Sequence, residues 1–250
     1  MSEPPRLIAL FGPTGVGKTA VAIELARLLR ARDERPVAIS ADALQVYEGL
    51  ETLTGVADAG QQAELEHRLI SFLPIDASFS AGHYAELAHA EIDAALAEGR
   101  RPIVVGGTGL YLRAALADLD FEPAPPDGPN QLWTRDVRRP TLLIGLVMER
   151  DALYRQIDAR VEEMLRAGVA EEVRRAHAMG AGRAARMALG FEQLLSGDVE
   201  AMKRRTRNYA RRQLTWMRKL VLDDLIDLTD RTAADAAVEV VEVLDRANTT

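Results

Sequence analysis

A short apolar run, Arg6 to Phe11, ends abruptly at Gly12-Pro13-Thr14-Gly15-Val16-Gly17-Lys18-Thr19, and Lys18 to Arg30 then carries apolar residues at helical spacing. This strand, loop and helix around G-x-x-x-x-G-K-[ST] restricts the fold more than any other feature of the chain. Glycines let the backbone curl, so that successive N–H groups and the helix N-terminus face phosphate oxygens. Lys18 adds a full positive charge, and the Thr19 hydroxyl is a ligand suited to Mg²⁺. The segment Gly12 to Thr19 is therefore expected to hold a di- or triphosphate.

The alternation of apolar runs and helical stretches continues. Strands are expected at Pro36 to Ser40, Arg68 to Phe72, Pro102 to Val105, Thr141 to Val147 and Leu225 to Leu228. Ala81 to Glu98 reads as a helix capped by Ser80 and stopped by Gly99, and Asp151 to Met179 as a long helix that Gly168 can divide. This pattern implies an α/β fold: a mostly parallel sheet of the P-loop NTPase type, flanked by helices, with a helical C-terminal part. Residues 1–250 are expected to form one such domain. Asp120 to Pro140 is rich in Pro and polar residues without a sustained period, and reads as a linker. Trp133 within it is expected to cover the core.

Composition removes other classes. The chain has no Cys, which excludes disulfide scaffolds, thiolate zinc sites and Cys nucleophiles. The four His residues, at 67, 83, 89 and 177, show no metal-ligand spacing. No apolar stretch is long enough to span a bilayer and no secretory leader is evident, so a cytoplasmic protein without a membrane partner is expected.

A hydrolase built on such a loop places a further carboxylate at the end of a neighbouring strand. Asp42 follows PVAISA, and is open to reading as a metal-side carboxylate or as a general base. The strand Ile103 to Val105 instead leads into Gly106-Gly107-Thr108-Gly109-Leu110-Tyr111, which brings Thr108 to the carboxyl edge of the sheet, where open α/β sheets hold ligands. A steric strand-to-helix turn with Thr108 as a cap is the plain alternative.

The formal charge is -7, yet Lys203 to Lys219 contains eight cationic residues and no acid. On a helix, Tyr209, Ala210, Gln213, Leu214, Trp216, Met217 and Leu220 share one arc, while Arg204, Arg207, Arg211, Arg212, Arg218 and Lys219 fill the other. The charged face suits nucleic-acid phosphates. A solvated face balanced by acidic helices elsewhere would look the same in sequence.

Four motifs together resemble the tRNA dimethylallyltransferase (IPP transferase) family: GPTGVGKT at Gly12, Asp42-x-x-Gln45-x-Tyr47, GGTGLY at Gly106 and TRNYARRQLTWMRK at Thr206. Shorter matches, such as IDARVEEMLRAGVAEEV at Ile157 and ALGFEQ at Ala188, lie between them. The resemblance implies transfer of a dimethylallyl group from dimethylallyl diphosphate to N6 of an adenosine next to the anticodon, position 37 of tRNA, with diphosphate released. It implies Asp42 as the general base, Lys18 and Mg²⁺ at Thr19 as stabilisers of the leaving diphosphate, and Thr108 beside the adenosine. It also implies contacts from Asp42, Ala43, Leu44 and Gln45 to a flipped-out base and from Arg207, Arg211 and Arg212 to backbone or diphosphate. A monomer that takes the anticodon stem-loop is the implied assembly.

Two departures stand out. The family's helical insertion after GGTGLY, which grips the far side of the stem-loop, is replaced by the linker, and Ala43 stands where the family commonly has Ser. Three other readings compete: an adenylate prenyltransferase using free AMP, ADP or ATP; a P-loop kinase or NTPase; and a non-catalytic RNA-binding remnant.

Overall fold

The computed structural model describes residues 7–121 and 131–249. Its strands are β1 (Leu7–Phe11), β2 (Pro36–Ala41), β3 (His67–Arg68), β4 (Arg101–Gly106), β5 (Thr141–Val147) and β6 (Asp224–Asp227). They form one sheet in the order β3-β2-β4-β1-β5-β6, and every pairing is parallel. Parallel neighbours require crossovers, which helices supply on both faces.

The helices are α1 (Lys18–Arg30), α2 (Glu51–Thr54), α3 (Ala59–Glu64), α4 (Ala81–Ala97), α5 (Gly109–Leu116), α6 (Arg150–Arg166), α7 (Val169–Ala178), α8 (Phe191–Leu195), α9 (Val199–Met217) and α10 (Ala233–Thr249). Although β1 is apolar throughout, its alternate residues serve different cores. Ile8 and Leu10 face a cluster with residues of α1 and α10, whereas Leu7, Ala9 and Phe11 face one with residues of α4 and α5. A third cluster, including Tyr47, Leu53, Val161, Val173 and Phe191, joins α2, α6, α7 and α8 beyond the carboxyl edge of β2. That helical layer walls the site.

Most expected elements are present within a residue or two. Gly168, at φ 86, divides the long helix into α6 and α7. The strand expected at Arg68 to Phe72 is corrected: β3 is only His67–Arg68. Leu69 and Ser71 take positive φ values of 60 and 43, turning the chain off the sheet, and the amides of Ser71 and Phe72 donate to Gln45 and Val46 carbonyls.

Of the linker, residues 122–130 lie outside the described residues. Gln131–Trp133 forms a 3-10 turn whose Trp133 ring lies 4.6 Å from Trp216 and under the Lys219 ammonium. Buried Arg113 donates to the Asp136 carbonyl, and Arg138 and Arg139 pair with Asp93 of α4. Among the described residues no helix is long and apolar enough to cross a membrane.

Candidate active site

The sheet order places β1 between β4 and β5, with chain connections leaving in opposite directions, so its carboxyl end opens onto the crevice where such sheets bind ligands. The Gly12–Thr19 loop occupies that end. Gly15 and Gly17 adopt φ values of 85 and 97, a left-handed conformation that side chains resist, and α1 begins at Lys18. Lys18 Nζ donates to the Gly12 and Pro13 carbonyls at 2.9 and 3.0 Å, which folds the ammonium over the loop.

Thr14, Gly15, Gly17, Lys18 and Thr19 line a cavity of about 1040 Å³, together with Ser40, Asp42, Leu44, Gln45, Arg160, Thr206, Tyr209 and Gln213. The phosphate loop, the residues after β2 and the inner face of α9 thus share one space. Pro13 and Val16 are buried and contribute backbone and packing.

Asp42 accepts a hydrogen bond from the Leu44 amide at 3.0 Å, a local turn that fixes its carboxylate at the end of β2. Burial raises its pKa, opposed by the Leu44 amide and by the charges of Lys18 and Arg160. Burial also lowers the Lys18 pKa to about 8, with Asp42 opposing the shift and Arg160 adding to it. The three charges are therefore close enough to control one another's ionisation. Among the described residues no carbonyl or carboxylate takes a hydrogen bond from Arg160, and burial lowers its pKa as well. Room for its guanidinium comes from Gly55, at φ 64, where a Cβ would collide with Nη2.

The residues after Asp42 separate. Leu44 lines the cavity, and Ala43 packs against the core shared with α4 and α5. Gln45 lines the cavity too, but its side-chain amide is engaged by the protein: Oε1 accepts from Ser40 Oγ at 2.8 Å, and Nε2 donates to the Thr54 and Gly55 carbonyls at 3.3 and 3.0 Å. Tyr47 is 2% exposed and belongs to the third core. Thr108 stands at the N-terminus of α5, its hydroxyl 3.4 Å from the Tyr209 hydroxyl across the crevice. Burial raises the Tyr209 pKa to about 12, so this hydroxyl keeps its proton.

On α9 the arcs fall as the helical spacing requires, with one difference. Arg204, Arg205, Arg211, Arg212, Arg218 and Lys219 are exposed, and among the described residues none has a carboxylate partner. Lys203 instead pairs with Glu162 and Glu200, and half-buried Arg207 with Asp158 of α6 at 3.4 Å, its guanidinium near the Tyr154 ring. The outward charge is left available to an external polyanion. Arg207 is fastened to α6, apart from the exposed cations.

Sequence reasoning did not find Arg160 or assign a role to Gln213. Arg160 lies among the exposed charges of an amphipathic helix, where nothing local distinguishes it. Gln213 did carry a signal, as a polar residue in the arc of α9 that docks; it is 4% exposed.

A family model described as IPP transferase matches residues 45–139 and 129–220. The tRNA dimethylallyltransferase of Rhodospirillum centenum is 36% identical over 281 residues, covering 85% of this chain and 88% of that protein. The tRNA dimethylallyltransferase 2 of Syntrophus aciditrophicus is 35% identical over 282 residues, covering 86% and 89%. Among solved structures, the tRNA delta(2)-isopentenylpyrophosphate transferase of Staphylococcus epidermidis superposes with a TM-score of 0.83 at 26% identity, covering 97% of this chain and 99% of that one. With the family model matched from Gln45 through β3, β4, β5 and the basic helix α9, and relatives 35–36% identical over most of the chain, the chain belongs to the IPP transferase family.

Proposed function

We propose that this protein transfers a dimethylallyl group from dimethylallyl diphosphate to N6 of adenosine 37 in tRNA. The observation that carries the reading is the placement of Asp42, Lys18 and Arg160 on one cavity, between the Gly12–Thr19 loop and the inner face of a helix whose exposed cations have no carboxylate partner among the described residues. The relatives named above support the same chemistry by the activity in their names.

In the reaction, the N6 lone pair attacks the allylic carbon while the bond from that carbon to the diphosphate oxygen breaks. As N6 gains positive character its proton becomes acidic, and the Asp42 carboxylate receives it. The raised pKa of Asp42 makes it a stronger acceptor than a solvated carboxylate, while Lys18, Arg160 and the loop amides meet the charge that collects on the departing diphosphate. Thr108 and Tyr209 close the adenosine side.

Mg²⁺ fits this donor set. Thr19 lines the cavity, and among the described residues no group of three or more acidic or His side chains competes for the ion. A hard cation that keeps most of its shell as water and substrate phosphate needs few protein ligands. Thr19 would hold it, and when bound it would offset diphosphate charge.

The two matched stretches of the family model overlap at residues 129–139, which supports the reading that a clamp found in relatives is missing at the linker. The stem-loop would then be held chiefly by α9. The protein is read as a cytoplasmic monomer, and an acceptor as small as AMP is the rival that a shortened chain leaves open. Incubation with labelled dimethylallyl diphosphate, Mg²⁺ and either total tRNA or AMP decides this. Label in tRNA is expected; label in AMP alone would move the acceptor to the free nucleotide.

A further inference from the structure

The inner face of α9 runs Thr206, Tyr209, Gln213 and Trp216, at the spacing of successive helical turns, and three of these residues meet the second glycine loop one to one. The Tyr209 hydroxyl lies 3.4 Å from Thr108 Oγ1, the Gln213 amide reaches Gly107, and the Trp216 ring lies where a Cβ on Gly109 would be. Gln213 alone also crosses to the first loop. Its Oε1 accepts the Thr14 N–H at 2.8 Å and its Nε2 donates to the Gly107 carbonyl at 2.8 Å.

The site is built around this amide. A Cβ on Gly107 would collide with Gln213 Nε2, and would lie 3.1 Å from the Gly12 carbonyl oxygen and 3.3 Å from Lys18 Nζ. That same Gly12 carbonyl takes the Lys18 ammonium at 2.9 Å. Two loops from different strands, the loop lysine and the RNA-facing helix therefore meet at one buried side chain, which has both a donor and an acceptor to satisfy. Leucine would fill the space without making either bond.

We propose that Gln213 is a positioning residue for prenyl transfer: its side-chain amide sets the phosphate loop at a fixed distance from the Gly107–Thr108 loop and from α9, so that the diphosphate and the adenosine brought by α9 meet in register. Thr14 consequently spends its N–H on Gln213 and Val16 its own on the Pro13 carbonyl, so the amides of Gly15, Gly17, Lys18 and Thr19 are the ones the loop would offer a diphosphate. The inference rests on the prenyl-transfer reading, but its binding arm uses inorganic pyrophosphate and requires no transfer.

The test compares wild type with Gln213→Leu and Gln213→Glu, by calorimetric titration with pyrophosphate and Mg²⁺, by affinity for total tRNA, and by steady-state transfer. In Gln213→Leu, loss of the two bonds should weaken pyrophosphate binding roughly tenfold and lower kcat by roughly ten- to a hundredfold, while tRNA affinity and cooperative melting stay near wild type. A folded Gln213→Leu protein with pyrophosphate affinity and kcat within about twofold of wild type overturns the proposal, as does an equal loss of tRNA affinity, which would mean that the helix itself has moved.

Gln213→Glu decides the matter if Gln213→Leu does not fold. Its carboxylate can still accept from Thr14 but can donate to Gly107 only when protonated, and burial favours that form. Its kcat relative to wild type at saturating donor should rise as the pH is lowered, and a ratio independent of pH overturns the assignment. If wild type binds pyrophosphate but transfers nothing, the prenyl-transfer reading fails, while a pyrophosphate defect confined to the Gln213 variants would still support the loop-setting role.

Discussion

Raising the pH should loosen the hold on dimethylallyl diphosphate, because burial lowers the Lys18 pKa in the free protein to about 8, well below that of a solvated lysine. The cause is burial at the sheet edge, with Arg160 adding to the shift and Asp42 opposing it. A bound diphosphate restores the favoured charge, and an opposite charge at contact distance shifts a pKa by about 1–3 units. The sign follows from linkage: diphosphate binds the protonated form, so affinity is full below about pH 8 and falls above it. If the bound pKa is about two units higher than the free one, the dissociation constant rises about tenfold between about pH 7 and about pH 9. Titration calorimetry with dimethylallyl diphosphate and Mg²⁺, without RNA, reads this directly, since a diphosphate monoester does not itself titrate in that window. Lys18→Arg replaces the group by one that keeps its charge throughout, and should remove the slope. A wild-type affinity that is flat with pH, or the same slope in Lys18→Arg, would refute the link between Lys18 and the diphosphate.

Asp42→Asn should lower transfer by about a thousandfold or more while pyrophosphate affinity stays the same or improves, as single-turnover assays and calorimetry would show; a variant as active as wild type removes Asp42 as the base. Arg160→Met should weaken pyrophosphate binding by about 1.5–3 kcal/mol, the range for a charge-assisted hydrogen bond, and Arg160→Lys should recover part of it; unchanged binding would leave Arg160 as a bystander. Neutralising Arg204, Arg211 and Arg212 together should flatten the dependence of log affinity for tRNA on log salt by roughly two to three. An unaltered slope would return the face of α9 to a solvated surface.

The frame of the protein was legible because its signals are local. The phosphate loop, the Gly168 break and apolar runs such as Thr141–Val147 each depend on neighbours in sequence, and the structure places them where the patterns do. The strand expected at Arg68 to Phe72 failed because Leu69 and Ser71 take left-handed conformations, which no apolar pattern encodes. Asp42 was visible at the end of a buried strand, yet its neighbour Gln45 turned inward to Ser40, Thr54 and Gly55, partners supplied by the sheet and by α2. Arg160 and Gln213 were hidden for the same reason in reverse. Their significance comes from Asp42, Thr14 and Gly107, each more than a hundred residues away.

The sharpest test follows the diphosphate. With RNA and dimethylallyl diphosphate present, inorganic diphosphate should appear in step with prenylated adenosine, one for one, and ATP or GTP added alone should remain intact. Release of orthophosphate from a nucleoside triphosphate, with no prenyl group passed to any acceptor, would mean that the loop holds fuel and that the reading of Asp42, Lys18 and Arg160 given above is wrong.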